Sequence, residues 1–258
     1  MRRRAPDPAL GVFETLLLVD GRPLEPDAHL QRLAASLERL YGARLPGEAR
    51  LLAGGLGAAG LSRLRLTVTP GAGGLECRRS AEAVPEALLF PAWEDGAELQ
   101  SLALAGGLGA HKWADRSLLP ETRGRAVPLL LDDGAEVLEA AWASVFAVCD
   151  GVLVTSPADA RILPGVTRAA AIAIAREQGL EVVERRVYRE ELGEAEEVFL
   201  TGSVRGVVPA QSLDGGELGS GEISAFLADR LRRRWRIAGG SGVARSPAAV
   251  PSPGSPAR

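Results

Sequence analysis

The sequence predicts an α/β (α+β) fold in two units, and three observations carry that prediction. Strand-like runs recur along the chain between Gly, Asp and Pro turns, and helix-period apolar stripes occupy only a few segments. A glycine-rich stretch at 106, 107 and 109 divides the pattern in two. With 258 residues the chain can bury a sizeable core. The expected units are a smaller N-terminal one over 1–105, an interdomain loop over 106–112, a larger unit over 113–237 and a disordered tail over 238–258.

The elements follow in order. Val12 to Val19 has the β-branched and apolar density of a buried strand, closed by the turn Asp20-Gly21-Arg22-Pro23. A helix follows, with Asp27 as N-cap, Leu30, Leu33, Leu37 and Leu40 on one stripe and Gly42 as its stop. Arg63 to Thr69 alternates as a strand, turns at Gly71 to Gly74 and returns over Leu75 to Arg79. Ala97 to Ala105 reads as one more strand of this first unit. The second half brings strands at Val127 to Leu131 and Glu136 to Glu139. Ser144 to Cys149 and Val152 to Thr155 form a hairpin around Asp150-Gly151. An Ala- and Ile-rich helix then starts near Val166 and stops at Gly179, and strands follow at Glu181 to Val187 and Glu197 to Thr201. The last helix, Glu222 to Arg236, places Ile223, Phe226, Leu227, Leu231 and Trp235 on one side.

Charge and cysteine usage narrow the function classes. A formal charge of −3 with dispersed arginines advertises no basic face for nucleic acid or membrane, so a small-molecule partner is expected. Cys77 and Cys149 are far apart, and His29 and His111 are the only histidines, which speaks against a protein metal site. The expected compartment is a reducing cytosol. No apolar run approaches a membrane span, and Met-Arg-Arg-Arg leads into Ala-Pro-Asp-Pro, not into the apolar core of a signal peptide.

Chemistry concentrates in Gly109-Ala110-His111-Lys112-Trp113-Ala114-Asp115-Arg116, where a lysine follows a nearly uncharged run. A partly desolvated lysine keeps a useful fraction of neutral amine and can attack an aldehyde, so Lys112 is a candidate to carry pyridoxal phosphate covalently. By itself it also fits an ordinary exposed lysine. Leu163-Pro164-Gly165-Val166-Thr167-Arg168 opens a helix whose unpaired amides suit a phosphate, or it is a routine helix start. Thr201-Gly202-Ser203-Val204-Arg205-Gly206 suits phosphate or carboxylate, or is a polar turn. Arg32 lies on a flank of its helix, where a solvated arginine is the alternative.

These stretches, in this order, resemble the class IV aminotransferases, the fold-type IV pyridoxal-phosphate family of branched-chain and D-amino-acid transaminases and 4-amino-4-deoxychorismate lyase. The matching segments are Gly11 to Thr15, His29 to Leu33, the lysine segment, Val137-Leu138-Glu139 with Ser144-Val145-Phe146, Ile162 to Arg168, and Glu196 to Ser203. The resemblance implies a two-domain, D-amino-acid-aminotransferase-like architecture and a homodimer. It implies that Lys112 carries pyridoxal phosphate and moves protons, and that Glu139 pairs with the pyridine nitrogen. Arg32, Gly165, Val166, Thr167 and Ser203 would hold the phosphate, with Ser144 also at the cofactor where the family commonly has asparagine. Phe13, Thr15, His111, Arg116, Val204 and Arg205 would face an amino substrate.

Within the family, Lys112-Trp113-Ala114-Asp115-Arg116 looks like the Lys-x-x-Asn-Arg pattern of the lyases, with Asp115 for Asn and without the tyrosine of branched-chain enzymes. The implied reaction is cleavage of 4-amino-4-deoxychorismate to 4-aminobenzoate and pyruvate, in folate biosynthesis. Arg116 and Arg205 are then candidates for its carboxylates, although Arg116 would equally suit an ion pair with Asp115 or Glu121. The brief approach to Gly11 resembles the lyase module fused behind an aminodeoxychorismate synthase subunit, which makes such a subunit a candidate partner. Transamination of D-amino or branched-chain amino acids, and cofactor binding without turnover, are the alternatives.

Overall fold

The computed structural model of the protein describes residues 5–55, 57 and 59–237. The expected tail lies outside the described residues. Val12–Val19 (β1) is buried on both faces apart from half-exposed Thr15, so the apolar run is a central strand. Arg22–Pro23 (β2) folds back on it through the turn at Asp20 and Gly21. Pro26–Tyr41 (α1) follows and ends at Gly42 in the left-handed conformation, φ 61°. Asp27 does not cap α1. Pro26, whose missing N–H costs nothing in the first turn, starts the helix earlier, leaving Asp27 inside that turn and Glu25 at the cap. Gly47–Leu52 (α2) is an unanticipated helix, too short to show a helical period.

Leu61–Gly71 (β3) and Gly74–Ala83 (β4) complete a four-stranded antiparallel sheet in the order β2-β1-β3-β4. Leu30, Leu33 and Leu37 of α1 pack on Val12, Leu66 and Val68 of this sheet.

The larger sheet takes the rest of the chain. Its elements are Ala97–Ala103 (β5), Ala126–Leu131 (β6), Val137–Ala140 (β7), Ser144–Cys149 (β8), Val152–Thr155 (β9), Val166–Glu177 (α3), Val182–Glu184 (β10), Arg189–Glu194 (α4), Glu197–Gly202 (β11), Gly206–Leu213 (β12), Gly216–Glu217 (β13) and Glu222–Trp235 (α5). The strand order is β10-β9-β8-β11-β12-β5-β6-β7, with β13 on β12. A bridge between Ala140 and Ala143 turns β7 straight back into β8, so the sheet curls on itself. Val127, Leu129, Val145, Ala147, Val198 and Leu200 fill one face, while the alternate residues Phe146, Val148 and Phe199 face α3 and α5.

One strand changes sheets relative to the sequence reading. β5, grouped there with the first unit, pairs in parallel with β6 and β12, Leu99 lying opposite Val127 and Leu213. Alternation identifies a strand but not its partner; the match of buried faces decides that. The strand expected over 181–187 contracts to Val182–Glu184. β12 went unread because Gly206 and Pro209 argue locally against a strand, yet it runs through the sheet between β11 and β5.

Candidate active site

A cavity of about 490 Å³ lies between the two sheets, a size usual for small-molecule sites. β1, α1, β3 and β4 supply one wall, and the β7–β8 turn, the start of α3 and the β11–β12 turn supply the other. The structure brings together here every residue singled out from the sequence: Phe13, Thr15, Arg32, His111, Lys112, Arg116, Glu139, Ser144, Gly165, Val166, Thr167, Ser203, Val204 and Arg205. Residues to which the sequence gave no site role join them, among them Arg63, Arg65 and Glu82, and so do Trp142 and Thr201.

Lys112 is the only lysine in the chain. Its segment is held against β1. The Lys112 carbonyl accepts from the Phe13 N–H at 2.8 Å, the Ala114 N–H donates to the Gly11 carbonyl at 3.0 Å, and Trp113 bridges Val12. Trp113 is buried, and its indole N–H donates to the Leu108 carbonyl at 2.8 Å. The Lys112 ammonium stands 4.9 Å from the centre of the Phe13 ring and lines the cavity. Burial, reinforced by the positive charge of Arg32, lowers its pKa to about 8. An appreciable neutral fraction therefore exists near neutral pH. His111, beside it, makes a 3.0 Å contact with the Ser36 hydroxyl and meets Trp113 edge-on.

Glu139 is buried and, among the described residues, accepts one hydrogen bond, from the Leu163 N–H at 3.3 Å. Burial pushes its pKa up to about 8, against the pull of that amide and of the Lys112 and Arg116 charges. A carboxyl group so placed has acceptor capacity left, and a cationic group in the cavity would draw it to its charged form. Arg116 pairs with neither Asp115 nor Glu121. It turns to the cavity and donates to the Ala141 carbonyl, while Asp115 accepts from the N–H groups of Asp7 and Ser117.

The other end of the cavity suits an anion. Gly165 precedes the first turn of α3, which no side chain caps. A Cβ at Gly165 would come within 2.7 Å of the Ser144 hydroxyl and 3.0 Å of the Arg168 Cβ, so this approach has no room for a side chain. The hydroxyls of Thr167 and Ser203 are 3.4 Å apart, and the buried Thr201 hydroxyl on the same wall has no partner among the described residues. Arg32 donates through Nε and Nη2 to Glu14 at 2.8 and 2.7 Å, and through Nη1 to the Pro164 carbonyl at 2.9 Å. Three of the five guanidinium N–H groups are thus engaged, and two remain for a ligand.

Glu14 sets the pose of Arg32. It is 1% exposed, and its second partner is His29 Nδ1 at 2.7 Å. Burial alone would raise its pKa, but the Arg32 charge and the His29 and Arg32 hydrogen bonds outweigh burial and hold it at about 2. Sequence reasoning gave Glu14 no role, although a carboxylate inside the otherwise apolar Val12–Val19 run was the available signal.

No group of three or more His, Cys, Asp or Glu positioned for a metal occurs among the described residues, and no helix among them is long and apolar enough to cross a membrane. The amino-transferase class IV family model matches residues 11–97 and 120–213. A branched-chain-amino-acid aminotransferase of Escherichia coli K12 is 42% identical over 93 residues, 36% of this chain and 30% of that protein. The chain spans less than half the length of such relatives. The structure of 4-amino-4-deoxychorismate lyase from Pseudomonas aeruginosa superimposes with a TM-score of 0.71 at 29% identity, over 86% of this chain and 90% of that one. A hypothetical aminotransferase from Mycobacterium tuberculosis, in its PLP-bound form, gives a TM-score of 0.72 at 25% identity, over 89% and 92%.

Proposed function

Because the chain belongs to the class IV aminotransferase family, whose cofactor is pyridoxal phosphate, we propose that it is a pyridoxal-phosphate lyase converting 4-amino-4-deoxychorismate to 4-aminobenzoate and pyruvate. The cavity fits that cofactor. The uncapped first turn of α3, two spare Arg32 donors, the partnerless Thr201 hydroxyl and the side-chain-free approach at Gly165 together suit a phosphate. Charge-assisted hydrogen bonds of this kind contribute roughly 1.5–3 kcal/mol each. When bound, the cofactor supplies an electron sink for the pair left as a proton leaves the amine-bearing carbon.

The protein's own groups divide the remaining work. Lys112 would hold the cofactor, and as a free amine it would take the proton from the amine-bearing carbon of the substrate; its lowered pKa suits it to both tasks. No other side chain can attach an aldehyde as an imine, since Lys112 is the only lysine of the chain. Glu139 would hold a proton on the cofactor's ring nitrogen. Arg116 steers a substrate carboxylate, and departure of the enolpyruvyl oxygen with aromatisation of the ring yields the two products without an amino acceptor. A homodimer, a cytosolic location and association with a synthase subunit belong to the same reading.

The observation that carries the lyase reading is Arg116, which lines the cavity and leaves its acidic sequence neighbours unpaired with it. Similarity to branched-chain aminotransferases supports a second reading, transamination. The deciding experiment gives cofactor-reconstituted protein 4-amino-4-deoxychorismate without any keto acid and follows 4-aminobenzoate fluorescence. Product that vanishes in Lys112→Ala supports the lyase. Keto-acid-dependent turnover of D- or branched-chain amino acids instead would replace it, and cofactor absorbance without any turnover would leave a binding protein.

A further inference from the structure

The cavity holds more positive charge than the proposed phosphate site uses. Arg65 of β3 lies with its guanidinium carbon 3.7 Å above the centre of the Phe13 ring, and Arg205, in the β11–β12 turn, stands 4.8 Å from the centre of the Trp142 ring. Both are half-buried, both line the cavity, and neither has a carboxylate partner among the described residues. They come from opposite sheets, yet both line one cavity with Arg63; burial first, and then the Arg63 charge, disfavours the charge of each. Among the described residues the carboxylates lining the cavity are Glu139 and Glu82, and Glu82 stands directly across the β3–β4 hairpin from Arg63 and pairs with it. That pair is largely exposed and therefore weak. Trp142 fills the wall between, its ring 3.3 Å from where a Cβ on Gly202 would stand.

Two unmatched guanidinium groups held on aromatic faces are costly to bury unless a ligand brings an anion to them. The cofactor's phosphate would have its own donors around Arg32, so the anion wanted here is a second one. We propose that Arg65 and Arg205, walled by Trp142, form a second anion subsite for the remote carboxylate of a planar dicarboxylic amino acid, and that Glu82 tunes its selectivity by competing for Arg63. This rests on reading the cavity as a cofactor-and-amine site and adds how the substrate's far end is chosen.

The test uses cofactor-loaded protein and two inert probes, benzoate and benzene-1,3-dicarboxylate, with binding followed by the cofactor's absorbance and by calorimetry. Wild type should bind the dicarboxylate at least tenfold more tightly than benzoate. Arg205→Met should bring that ratio to about one, Arg205→Lys should restore part of it, and Glu82→Gln should raise it two- to fivefold. A structural role for Arg205 would instead weaken both probes together and leave the ratio intact. A wild-type ratio near one, or a ratio unmoved by Arg205→Met, overturns the subsite even if the protein proves to be a lyase. A tenfold ratio in a protein that does not cleave 4-amino-4-deoxychorismate keeps the subsite and removes the lyase assignment.

Discussion

Replacing Glu14 by Gln removes the charge that holds Arg32 in place, and the structure sets the size of the effect. Glu14 titrates at about 2 in the folded protein against 4.5 for the free side chain. At about 1.4 kcal/mol per unit, a difference of this size corresponds to about 3 kcal/mol of stability at neutral pH. Because the folded-state pKa is depressed, the contribution is complete above the unfolded value and is lost as pH falls from 4.5 towards 2. Linkage places the loss at about 0.8 kcal/mol by pH 4 and about 1.4 kcal/mol by pH 3.5. Gln mimics the neutral acid and should sit about 3 kcal/mol below wild type at pH 7, with the gap closing by those amounts as pH falls. Urea unfolding of cofactor-free protein at pH 7, 4 and 3.5 reads this directly, since other carboxylates titrate equally in both proteins. A gap that stays constant across that range, or a variant as stable as wild type at pH 7, would refute the electrostatic account of Glu14.

Three further outcomes follow from the site. Attachment of pyridoxal phosphate to cofactor-free protein should speed up about tenfold between pH 7 and 9 and then level, as Lys112 loses its proton around pH 8; stopped-flow absorbance would show it, and a rate still climbing steeply at pH 10 would place the amine in an ordinary solvated setting. Glu139→Gln should keep the cofactor while slowing turnover by about 10- to 100-fold through loss of a charged hydrogen bond, and an unchanged rate constant would take Glu139 out of the chemistry. Gly165→Ala should weaken cofactor binding by about 1–3 kcal/mol, because its Cβ meets Ser144 and Arg168; equilibrium dialysis measures it, and Ser144→Ala in the same chain should recover part of the loss.

Local rules worked where the signal was local. The bounds of β1, β8 and β9, the stop of α1 at Gly42 and the cluster of cavity residues were all readable, because period-two runs, a left-handed glycine and short polar segments at strand and helix ends each announce themselves within a few residues. Relations across the chain were not readable. β5 changes sheets because its partners are 28 and more residues away, and Glu14 meets Arg32 and His29 only when β1 packs on α1. Arg63 and Arg65 alternate with leucines as a solvent-facing row would; only the opposite sheet turns that row into a cavity wall. Arg116 had two acidic neighbours in sequence and chose neither, since Asp115 was already engaged by backbone amides.

The attachment of the Lys112 segment to β1 bears on motion. Its backbone rides with the small sheet, whereas Glu139 and the start of α3 ride with the large one. The cavity is thus a joint between sheets that also share an apolar cluster through Leu17, Val19, Phe146 and Phe199, and a shift of one sheet past the other would alter the separation of amine and carboxylate. A ligand gripping both walls would act as a clasp on that joint, so its binding should be felt as slowed amide exchange at Phe13 and Ala114, the two N–H groups that hold the lysine strand in register.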